Sequence, residues 1–486
     1  MHLALFTLDA RATTPLHRQL YDALRAAILG GQLAAGARLP STRALAARLA
    51  VSRNTVLDAY AQLLAEGYVE GQVGSGTFVA RVLPDDLLQV RPAQPPTTTP
   101  ASTARALSQR GERLAATPVT APRPVATTIS FRPGQPALDA FPFTTWRRLL
   151  DRRWRKPPRE LLNYGDPAGW LTLREAIAAY LREARAVRCD ARQVIIVSGS
   201  QQALDLAARL LLDEGEAAWV EDPCYLGARG ALIGAGAQLA HVPVDAEGLD
   251  VAAGLARAPH ARLAYVTPSH QYPLGVTMSL PRRLALLEWA ARAGAWVLED
   301  DYDSEFRYAG RPLASLQGLD RAARVCYIGT FSKVLFPALR LGYLVAPPAL
   351  AEAFANARAL VDRHAPTVEQ AALADFITEG HFARHIRRMR ALYAERQAAL
   401  VEAARATLGG AVALEPAEAG MHLVGWLGEQ VDDLALSARA AAQGLEVPAL
   451  RRYLAEARLR GGLLLGYTAL DAAQIRAGVQ RLAGVL

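Results

Sequence analysis

The pattern of apolar and polar positions changes its period along the chain. In "PLHRQLYDALRAAILGG" the apolar residues Leu16, Leu20, Leu24 and Ile28 recur at helical spacing. From about residue 128, short apolar runs alternate with amphipathic stretches; the runs are "QVIIVSG", "AAWVED", "RLAYVTP", "AWVLEDD" and "RVCYIGT". Strands that alternate with helices predict an α/β fold, with a mixed, mainly parallel sheet and helices on both faces.

The same pattern predicts three segments. Residues 1–80 contain three short helices followed by two strands, with Ser41 and Ser52 as candidate N-caps of the second and third helices. Residues 81–127 are rich in Pro, Thr, Ala and Ser without a clear period, which predicts a flexible linker that could contain one short helix. Residues 128–486 form the main body, with a large part at about 170–370 and a small α+β part at about 375–486.

Composition narrows the class of protein. A length of 486 residues with 51% hydrophobic and 21% charged residues is typical of a globular protein of two or three domains. Three scattered cysteines form neither a disulfide framework nor a C-x-x-C metal pair, which favours the cytoplasm. We expect no metal site, no signal peptide and no membrane span. The net charge of +8 permits a polyanionic partner without requiring one.

The third helix of the N-terminal segment carries the candidate DNA-reading residues. The tight gap around Val51 predicts a helix-turn-helix, whose second helix would enter the major groove by its N-terminus. That helix opens with the short polar side chains of Ser52, Asn54 and Thr55 beside Arg53, which suit base edges and phosphates. The strands "YVEGQVGSGTFVA" around Gly74 predict a wing.

These residues resemble the winged helix-turn-helix of the GntR regulators. The matching stretch runs through "GARLPSTRALA", "VSRNTV", "AYAQL", "GYV" and "GSGTFV" and covers nearly all of 15–80. The resemblance implies a double-stranded DNA operator with repeated half-sites. It implies DNA contacts from the residues after the "LPS" turn, at the start of the third helix and in the wing, with Arg38 as a further candidate; the full set is Arg38, Arg43, Ser52, Arg53, Asn54, Thr55 and Gly74.

Lys333 is the candidate reactive residue of the body. The chain has 54 Lys plus Arg residues, and only Lys156 and Lys333 are lysines. An arginine cannot act as an amine nucleophile, whereas a lysine with a lowered pKa can form a Schiff base. Arg340 could clamp a phosphate, and the strand-to-helix turn at Ser198, Gly199 and Ser200 would present backbone N–H groups to an anion.

Two other strand ends supply groups that suit an aromatic cofactor. Tyr225 in "EDPCY" offers a flat stacking face. In "VLEDDYDSEF", a buried carboxylate could pair with a pyridinium nitrogen, and Tyr302 could reach a ring hydroxyl. Together with Lys333, these residues predict a site for a carbonyl cofactor that carries a phosphate.

In this order the parts resemble the fold-type I aminotransferases, which use pyridoxal 5′-phosphate. The resemblance implies that Lys333 holds the cofactor as an internal aldimine, that Asp300 pairs with the pyridine nitrogen and that Tyr225 stacks on the ring. The residues implied to surround the phosphate are Ser198, Gly199, Ser200, Gln201, Thr330, Ser332 and Arg340. "NYGDPAG" resembles the segment whose tyrosine, here Tyr164, reaches the phosphate of the neighbouring subunit, which implies a homodimer.

One segment departs from plain aminotransferases. "TPSHQYPLG" has Tyr272 where they usually carry Asn, so the contact to the ring hydroxyl could come from Tyr302 or from the stretch of His270, Gln271 and Tyr272. Together, "SHQYPLG" and "EDDYDSEF" resemble the MocR/GabR subfamily, in which a GntR-type head is fused to an aminotransferase-like body. The cofactor-binding set therefore includes His270.

The resemblance implies a transcription regulator rather than a turnover enzyme. In this interpretation the body senses an amine or amino acid-type effector, or pyridoxal 5′-phosphate itself, and changes DNA binding by the heads. The alternative is a catalytically competent aminotransferase that carries a DNA-binding domain. Glu446 stands where the GABA-sensing members have an arginine, which favours a cationic or neutral effector, although Arg229, Arg451 or Arg452 could supply a substitute.

Overall fold

The computed structural model describes residues 7–72, 75–84, 107–117, 129–309 and 314–486. Contacts between Cα atoms divide the chain into two compact units, 1–105 and 106–486. Each unit has its own hydrophobic core.

The first unit is a three-helix bundle with a β-hairpin. Its helices and strands are α1 Leu16–Leu29, α2 Thr42–Leu49, α3 Arg53–Ala65, β1 Val69–Gln72 and β2 Gly76–Val79. The apolar stripe of α1 is buried at Leu20, Leu24 and Ile28, which confirms the helical period seen in the sequence. Both N-cap predictions are also confirmed, because Ser41 accepts a hydrogen bond from Ala44 N and Ser52 accepts one from Thr55 N.

The second unit alternates helices with strands as the sequence predicts. Its helices are α4 Gln109–Ala116, α5 Phe143–Arg155, α6 Arg159–Leu162, α7 Leu171–Arg185, α8 Ser200–Leu211, α9 Leu226–Ala235, α10 Val251–Arg257, α11 Leu280–Ala293, α12 Leu316–Leu319, α13 Ala351–Asp362, α14 Thr367–Thr378, α15 His381–Leu408, α16 Asp433–Ala442 and α17 Ala472–Ala483. Its strands are β3 Ile129–Ser130, β4 Val194–Val197, β5 Ala217–Asp222, β6 Gln238–Asp245, β7 Gly248–Leu249, β8 Leu263–Val266, β9 Trp296–Asp301, β10 Val325–Thr330, β11 Gly342–Val345, β12 Val412–Ala413, β13 His422–Leu427, β14 Leu445–Glu446 and β15 Gly462–Gly466.

Eight of these strands form the central sheet, in the order β4-β11-β10-β9-β8-β5-β6-β7. The pairs β10–β9, β9–β8, β8–β5 and β5–β6 are parallel, whereas β11 runs antiparallel to both β10 and β4, and β7 antiparallel to β6. All four residues of β4 and all six of β10 are buried, as expected for strands that are covered on both faces. The mixed, mainly parallel sheet of the prediction is confirmed.

The C-terminal part adds a smaller sheet, β12-β13-β15, whose strands are antiparallel. A separate parallel pair joins β14 to β3, so that Glu446 lies opposite Ser130. This pairing brings the beginning of the body, near residue 130, against its C-terminal part. Phe131, which follows β3, is fully buried.

Helix α4 lies inside the segment that the sequence analysis interprets as a linker. Arg113 forms an exposed ion pair with Glu214 at 2.6 Å, and Leu114 packs close to Gly234 of α9. This helix belongs to the second unit. The boundaries proposed from the sequence, at 80 and 127, stay a prediction.

The carboxyl ends of β4, β5, β8, β9 and β10 meet at one edge of the central sheet, because these strands run in the same direction. In open α/β sheets this edge is where ligands bind. Candidate residues follow each of these five strand ends: Ser198, Tyr225, His270, Tyr302 and Lys333.

Candidate functional site

Lys333 lies just beyond the end of β10, against the backbone of Gly134. A Cβ atom added to Gly134 would lie 2.9 Å from Lys333 Nζ, and the φ of Gly134 is +70°. Only glycine combines that backbone conformation with so close an approach. Burial lowers the pKa of the Lys333 ammonium, and the nearby carboxylates of Asp303 and Asp300 oppose this change. The side chain is thus an amine whose neutral form is favoured by its surroundings.

Asp300 presents one carboxylate oxygen with no protein partner. Its Oδ2 accepts a hydrogen bond of 3.0 Å from the Tyr265 hydroxyl, whereas Oδ1 is buried without a hydrogen-bond partner among the described residues. Burial raises the pKa of Asp300 to about 7. A buried acceptor of this kind is normally satisfied, so Oδ1 fits a donor or a cation that the protein itself does not supply.

Tyr302, His270 and Asp303 form a polar cluster beside Lys333. His270 Nδ1 lies 2.9 Å from the Tyr302 hydroxyl and 3.0 Å from Asp303 Oδ2, although the second contact lacks hydrogen-bond geometry. His270 Nε2 is buried without a hydrogen-bond partner in the described part of the chain. The sequence analysis selected His270 and Tyr302 but not Asp303, although Asp303 stands in the same "EDDYDSEF" motif.

The residues predicted to bind the phosphate come together at the start of α8. Arg340 donates a hydrogen bond to the Ser198 carbonyl oxygen, and its guanidinium lies beside Gly199. Gly199 is the N-cap residue of α8 with a φ of +98°, and Ser200 begins that helix. Backbone N–H groups at a helix N-terminus beside a guanidinium are a favourable environment for an anion.

Three further predicted residues surround this position. Tyr225 is the N-cap residue of α9, and its hydroxyl lies 3.5 Å from Gln201 Oε1. Thr330 and Ser332 are buried at the end of β10, and the Ser332 hydroxyl has no hydrogen-bond partner among the described residues. The structure therefore brings the predicted phosphate residues and the stacking tyrosine to the same sheet edge.

An aromatic wall closes one side of the site, and the sequence analysis missed two of its members, Tyr453 and His422. Tyr272 makes edge contacts with Tyr225, Tyr302 and Tyr453, at ring-centroid distances of 6.0, 5.9 and 5.3 Å. His422 contacts the same ring at 5.5 Å, and burial lowers its pKa to about 3. Tyr453 comes from a C-terminal segment, so no local sequence signal links it to the wall.

Asp222 at the end of β5 holds that C-terminal segment in place. Its carboxylate accepts hydrogen bonds from the backbone N–H groups of Ala455, Glu456 and Ala457, at 2.7–2.9 Å. The N–H of Cys224 also donates to the Tyr453 carbonyl oxygen. These bonds fix the segment that carries Tyr453 over the sheet edge.

Glu446 is paired with two residues of the opposite strand and the turn after it. Arg132 Nη2 lies 3.0 Å from Glu446 Oε1, and the Ser130 hydroxyl donates to Oε2 at 2.5 Å. Arg132 stands two residues before Gly134, whose backbone lies against the Lys333 amine. The sequence analysis selected Glu446 but neither of its partners.

The three arginines considered as effector anchors lie in different places. Arg451 points to Asp432 and Asp433, at 3.8 and 3.6 Å, and Arg452 is exposed. Arg229 lies on α9, where its charge acts on His241 and Cys224.

Tyr164 lies on the surface rather than in this cluster. Its side chain is 77% exposed, and its ring contacts are with Arg363 and His364. A cleft of about 420 Å³ lies around Tyr164, Asp166 and Trp170. Within one chain, Tyr164 does not reach the residues around Lys333.

In the first unit, the predicted DNA-reading residues lie at one exposed helix end. Ser52, Arg53 and Asn54 are exposed in the first turn of α3, and Thr55 is half-buried. Arg53 Nε lies 3.5 Å from the Thr42 hydroxyl of α2, and Arg43 is exposed next to Thr42. The two helices therefore present their polar N-terminal turns together.

Arg38 lies against the hairpin that the sequence analysis interpreted as a wing. It forms an isolated bridge with Phe78, and its guanidinium lies close to Gly76. The hairpin pairs Gln72 with Gly76 across its end. Gly74, the predicted wing contact, lies outside the described residues.

Comparisons with known proteins agree with this division. The family "Bacterial regulatory proteins, gntR family" matches residues 16–79, and "Aminotransferase class I and II" matches residues 128–482. None of the described helices is both long and apolar enough to span a membrane.

Among the relatives is the probable rhizopine catabolism regulatory protein MocR of Rhizobium meliloti, which is 45% identical over 98% of this chain and 95% of its own. The pyridoxine biosynthesis transcriptional regulator PdxR of Corynebacterium glutamicum is 32% identical over 96% and 95% of the two chains.

Solved structures resemble the second unit. The kynurenine aminotransferase of Pyrococcus horikoshii is 30% identical, with a TM-score of 0.68 over 74% of this chain and 91% of its own. LysN, an α-aminoadipate aminotransferase of Thermus thermophilus, is 31% identical, with a TM-score of 0.69 over 74% and 92%.

The residues around Lys333 fit pyridoxal 5′-phosphate. The free Oδ1 of Asp300 suits a protonated pyridine nitrogen, the glycine at position 134 places no side chain against the Lys333 amine, and the α8 N-terminus with Arg340 suits a phosphate. This fit agrees with the aminotransferase family match and the cofactor named in the related structures. The chain therefore belongs to the MocR-type regulators, pyridoxal 5′-phosphate-dependent transcription regulators in which a GntR-type DNA-binding head precedes an aminotransferase-like body.

Proposed function

We propose that the body senses a small primary amine at Lys333 and that the occupied state changes how the heads bind DNA. The observation that carries the proposal is a buried lysine amine beside a buried carboxylate that has one free oxygen. Bound pyridoxal 5′-phosphate supplies an aldehyde that condenses reversibly with a primary amine, with loss of water.

Different residues of this chain bind different parts of the cofactor. Asp300 holds a positive charge at the ring nitrogen, and Tyr225 covers the ring. Tyr302, oriented through His270 Nδ1, donates or accepts at the ring hydroxyl. Burial lowers the pKa of Lys333, which favours the neutral amine, the form able to react.

The phosphate is held by Arg340, by the hydroxyls of Thr330 and Ser332, and by the turn formed by Ser198, Gly199 and Ser200, with Gln201 beside it. In the proposed homodimer, Tyr164 adds a contact from the partner subunit. Its high exposure within one chain supports this assignment, since the side chain is available to a second copy.

The DNA partner follows from the GntR-type head, and its contacts are part of the proposal. Arg53, Asn54 and Thr55 read base edges, while Arg43 and Arg38 contact phosphates. Ser52 fixes the start of α3, and Gly74 is proposed as a further DNA contact. A homodimer carries two heads and therefore binds an operator with two half-sites.

The central test is the visible absorption of the full-length protein purified with pyridoxal 5′-phosphate. Native protein should show the absorption of a lysine-bound cofactor, and addition of an amine should change it. Lys333→Ala should lose that absorption, as should Lys333→Arg, which keeps a positive charge but cannot condense with an aldehyde. An unchanged spectrum in both variants would exclude Lys333 as the attachment point. Lys156→Arg serves as the matched control, because it replaces the other lysine of the chain.

A second candidate function is catalytic transamination. The similarity to aminotransferases at about 30% identity favours it, including an aromatic-amino-acid aminotransferase of Thermococcus litoralis. Steady-state turnover of paired amino acids and keto acids by the purified protein distinguishes the two functions. Sustained turnover would support the catalytic function, and a response to amines without turnover would support the sensor.

Pyridoxal 5′-phosphate is a further candidate for the effector itself. The name of PdxR, a pyridoxine biosynthesis regulator, is the specific observation in its favour. DNA binding that depends on the cofactor and is unaffected by added amines would support this variant of the sensor.

A further inference from the structure

Asp303 is a buried carboxylate with one oxygen that accepts no hydrogen bond from the described residues. It is 1% exposed and stands one residue after Tyr302, and the oxygen in question is Oδ2. His270 Nδ1 lies 3.0 Å from that oxygen and 2.9 Å from the Tyr302 hydroxyl. One ring nitrogen is therefore shared between a carboxylate and a phenol.

The Tyr302 hydroxyl belongs to the sheet edge where the cofactor residues meet. Tyr302 directly follows β9, two residues after Asp300. Its ring centroid lies 5.9 Å from that of Tyr272, which in turn lies 6.0 Å from the ring of Tyr225, the residue assigned to cover the cofactor. His270 Nδ1 is the hydrogen-bond partner that the described part of the protein gives to this hydroxyl. The direction in which the hydroxyl donates is therefore decided at His270.

The imidazole of His270 is held between two backbone segments. A Cβ atom added to Gly420 would lie 2.4 Å from His270 Nε2, and one added to Gly275 would lie 3.1 Å from the same atom. Both glycines have a positive φ, +98° and +78°, which disfavours any side chain at these positions. The residue is 3% exposed, and Nε2 has no hydrogen-bond partner within the described ranges. The ring therefore keeps Nδ1 directed at Tyr302 and Asp303.

The carboxylate of Asp303 decides which nitrogen of His270 carries the proton. A neutral imidazole has one N–H donor and one acceptor nitrogen, and its surroundings select between them. A lone pair on Nδ1 would face the negative charge of Asp303 at 3.0 Å, which is unfavourable, whereas an N–H there is attracted to it. The ring of His422 lies 5.4 Å away and adds no charge, because burial lowers its pKa to about 3. The proton is therefore placed on Nδ1.

A proton on Nδ1 sets the role of the Tyr302 hydroxyl. The contact of Nδ1 with Tyr302 has hydrogen-bond geometry, so the hydroxyl oxygen accepts from the imidazole. A hydroxyl that accepts one hydrogen bond keeps its own hydrogen to donate elsewhere. With the opposite tautomer, the hydroxyl would donate to Nδ1 and would have no hydrogen left for a ligand. Asp303 thus acts on a ligand through two other side chains.

We propose that Asp303 is a positioning residue: it keeps the His270 proton on Nδ1, so that Tyr302 accepts there and donates its own hydrogen to the oxygen of the cofactor's ring hydroxyl. The inference rests on the contact between Tyr302 and the ring hydroxyl that is part of the proposed function, and it fixes the direction of that hydrogen bond. It does not depend on the identity of the amine that the protein senses.

The test measures the apparent Kd of pyridoxal 5′-phosphate in four full-length proteins: native, Asp303→Asn, Tyr302→Phe and the double variant. Asparagine keeps the shape of Asp303 but can present an amide N–H to Nδ1, which moves the His270 proton to Nε2. In native protein, Tyr302→Phe should raise the Kd roughly tenfold, because a hydrogen bond to the ring oxygen is lost. In the Asp303→Asn background the same substitution should change the Kd by less than about twofold, since Tyr302 already donates to Nδ1.

The pH profile of the visible absorption of the bound cofactor distinguishes this role from a direct effect of charge. Burial lowers the pKa of Lys333 and the charge of Asp303 opposes this change, so loss of that charge alone would move the midpoint of the profile to lower pH. Loss of the hydrogen bond from Tyr302 moves the midpoint to higher pH, because the negative ring oxygen loses a donor. Asp303→Asn should therefore raise the midpoint by about one unit relative to the same substitution in the Tyr302→Phe background.

Asp213→Asn, at an exposed position, is the matched control and should behave as native protein in both measurements. Circular dichroism verifies that each variant folds. If Asp303→Asn does not fold, Asp303→Ala takes its place with the same expectation, because it also removes the carboxylate.

Two outcomes would overturn the inference alone. One is an equal effect of Tyr302→Phe on the Kd with and without the Asp303 carboxylate, and the other is a midpoint that does not rise. If Tyr302→Phe changes neither measurement in native protein, the ring-hydroxyl contact of the proposed function fails, and the inference fails with it. No amine is added in these experiments, so none of these results bears on amine sensing.

Discussion

The candidate sites of the two units differ in the exposure of their residues and in how far apart those residues lie in the sequence. In the head, the polar residues lie in the first turns of α2 and α3, close in sequence and exposed. In the body, Lys333 follows the end of β10, whereas Asp300 and Asp303 lie at the end of β9, and both carboxylates are buried. Substitutions in the head should change binding and leave the fold intact, whereas substitutions in the body should change charge, stability and binding together.

The largest expected effect concerns the buried carboxylate of the body. Asp300 has a pKa of about 7 in the folded protein and 3.8 as its ordinary value, so the folded state binds its proton more tightly. Its contribution to stability is therefore complete below pH 4 and is lost as pH rises towards 7. Between these limits the loss is at most about 4 kcal/mol, since one pKa unit corresponds to about 1.4 kcal/mol.

Asp300→Asn should remove this loss from cofactor-free protein, so that its free energy of unfolding falls less with pH than that of native protein. Urea denaturation at several pH values between 4 and 8 measures the difference. Asp151→Asn, at an exposed position of α5, is the control and should follow the native curve. Parallel curves for native protein and Asp300→Asn would show that the buried charge is compensated in some other way.

The next effect concerns the head. Arg53→Ala should weaken operator binding by roughly 1–3 kcal/mol if Arg53 contacts a base. The thermal midpoint should change little, because the side chain is exposed. Electrophoretic mobility shift measures the affinity, with Arg11→Ala, another exposed arginine of the head, as the control. An equal loss in both variants would indicate a nonspecific charge effect.

The hydrogen bonds from Ala455, Glu456 and Ala457 to Asp222 form a clamp on the C-terminal segment. Removing this clamp tests whether that segment belongs to the site. Asp222→Asn keeps one acceptor oxygen but loses the charge and the second acceptor, which should cost about 1–3 kcal/mol. Hydrogen exchange at Ala455, Glu456 and Ala457 should accelerate, and cofactor absorption should change because Tyr453 is released. Asp213→Asn, on the surface, should change neither. Unchanged exchange in Asp222→Asn would exclude the clamp.

The smallest effect is that of a single helix cap. Ser52→Ala removes the acceptor for Thr55 N and should destabilise the head by about 1 kcal/mol, and Ser52→Gly by only a few tenths. Thermal unfolding of the two variants, followed by circular dichroism, compares them. Greater loss in the glycine variant would show that the cap matters through backbone entropy rather than through its hydrogen bond.

The same contrast explains what the sequence could predict. The caps at Ser41 and Ser52, the buried strands and the reactive Lys333 follow from local patterns, and each is found where the pattern indicates. Asp303 was missed although its motif was recognised, because its role depends on its distance from His270 and Lys333.

The partners of Glu446 and the aromatic wall could not be predicted from local patterns. Arg132 and Glu446 are joined by the pairing of β3 with β14, whose residues are far apart along the chain. Tyr453 reaches Tyr272 because three backbone groups bind to Asp222. Such contacts depend on tertiary structure, and the period and composition of a single segment contain no information about them.

The convergence of strand ends at one edge of the central sheet makes cofactor binding a property of the whole sheet. Most strands of the central sheet lie between Ser198 and Arg340 in the sequence. These two residues therefore come together to bind the phosphate only when the strands between them are in register. A ligand that binds only the folded state adds its binding free energy to stability, about 2.7 kcal/mol at 100 times its Kd. A shortage of the cofactor would therefore lower the fraction of this protein that is folded, in addition to emptying its site.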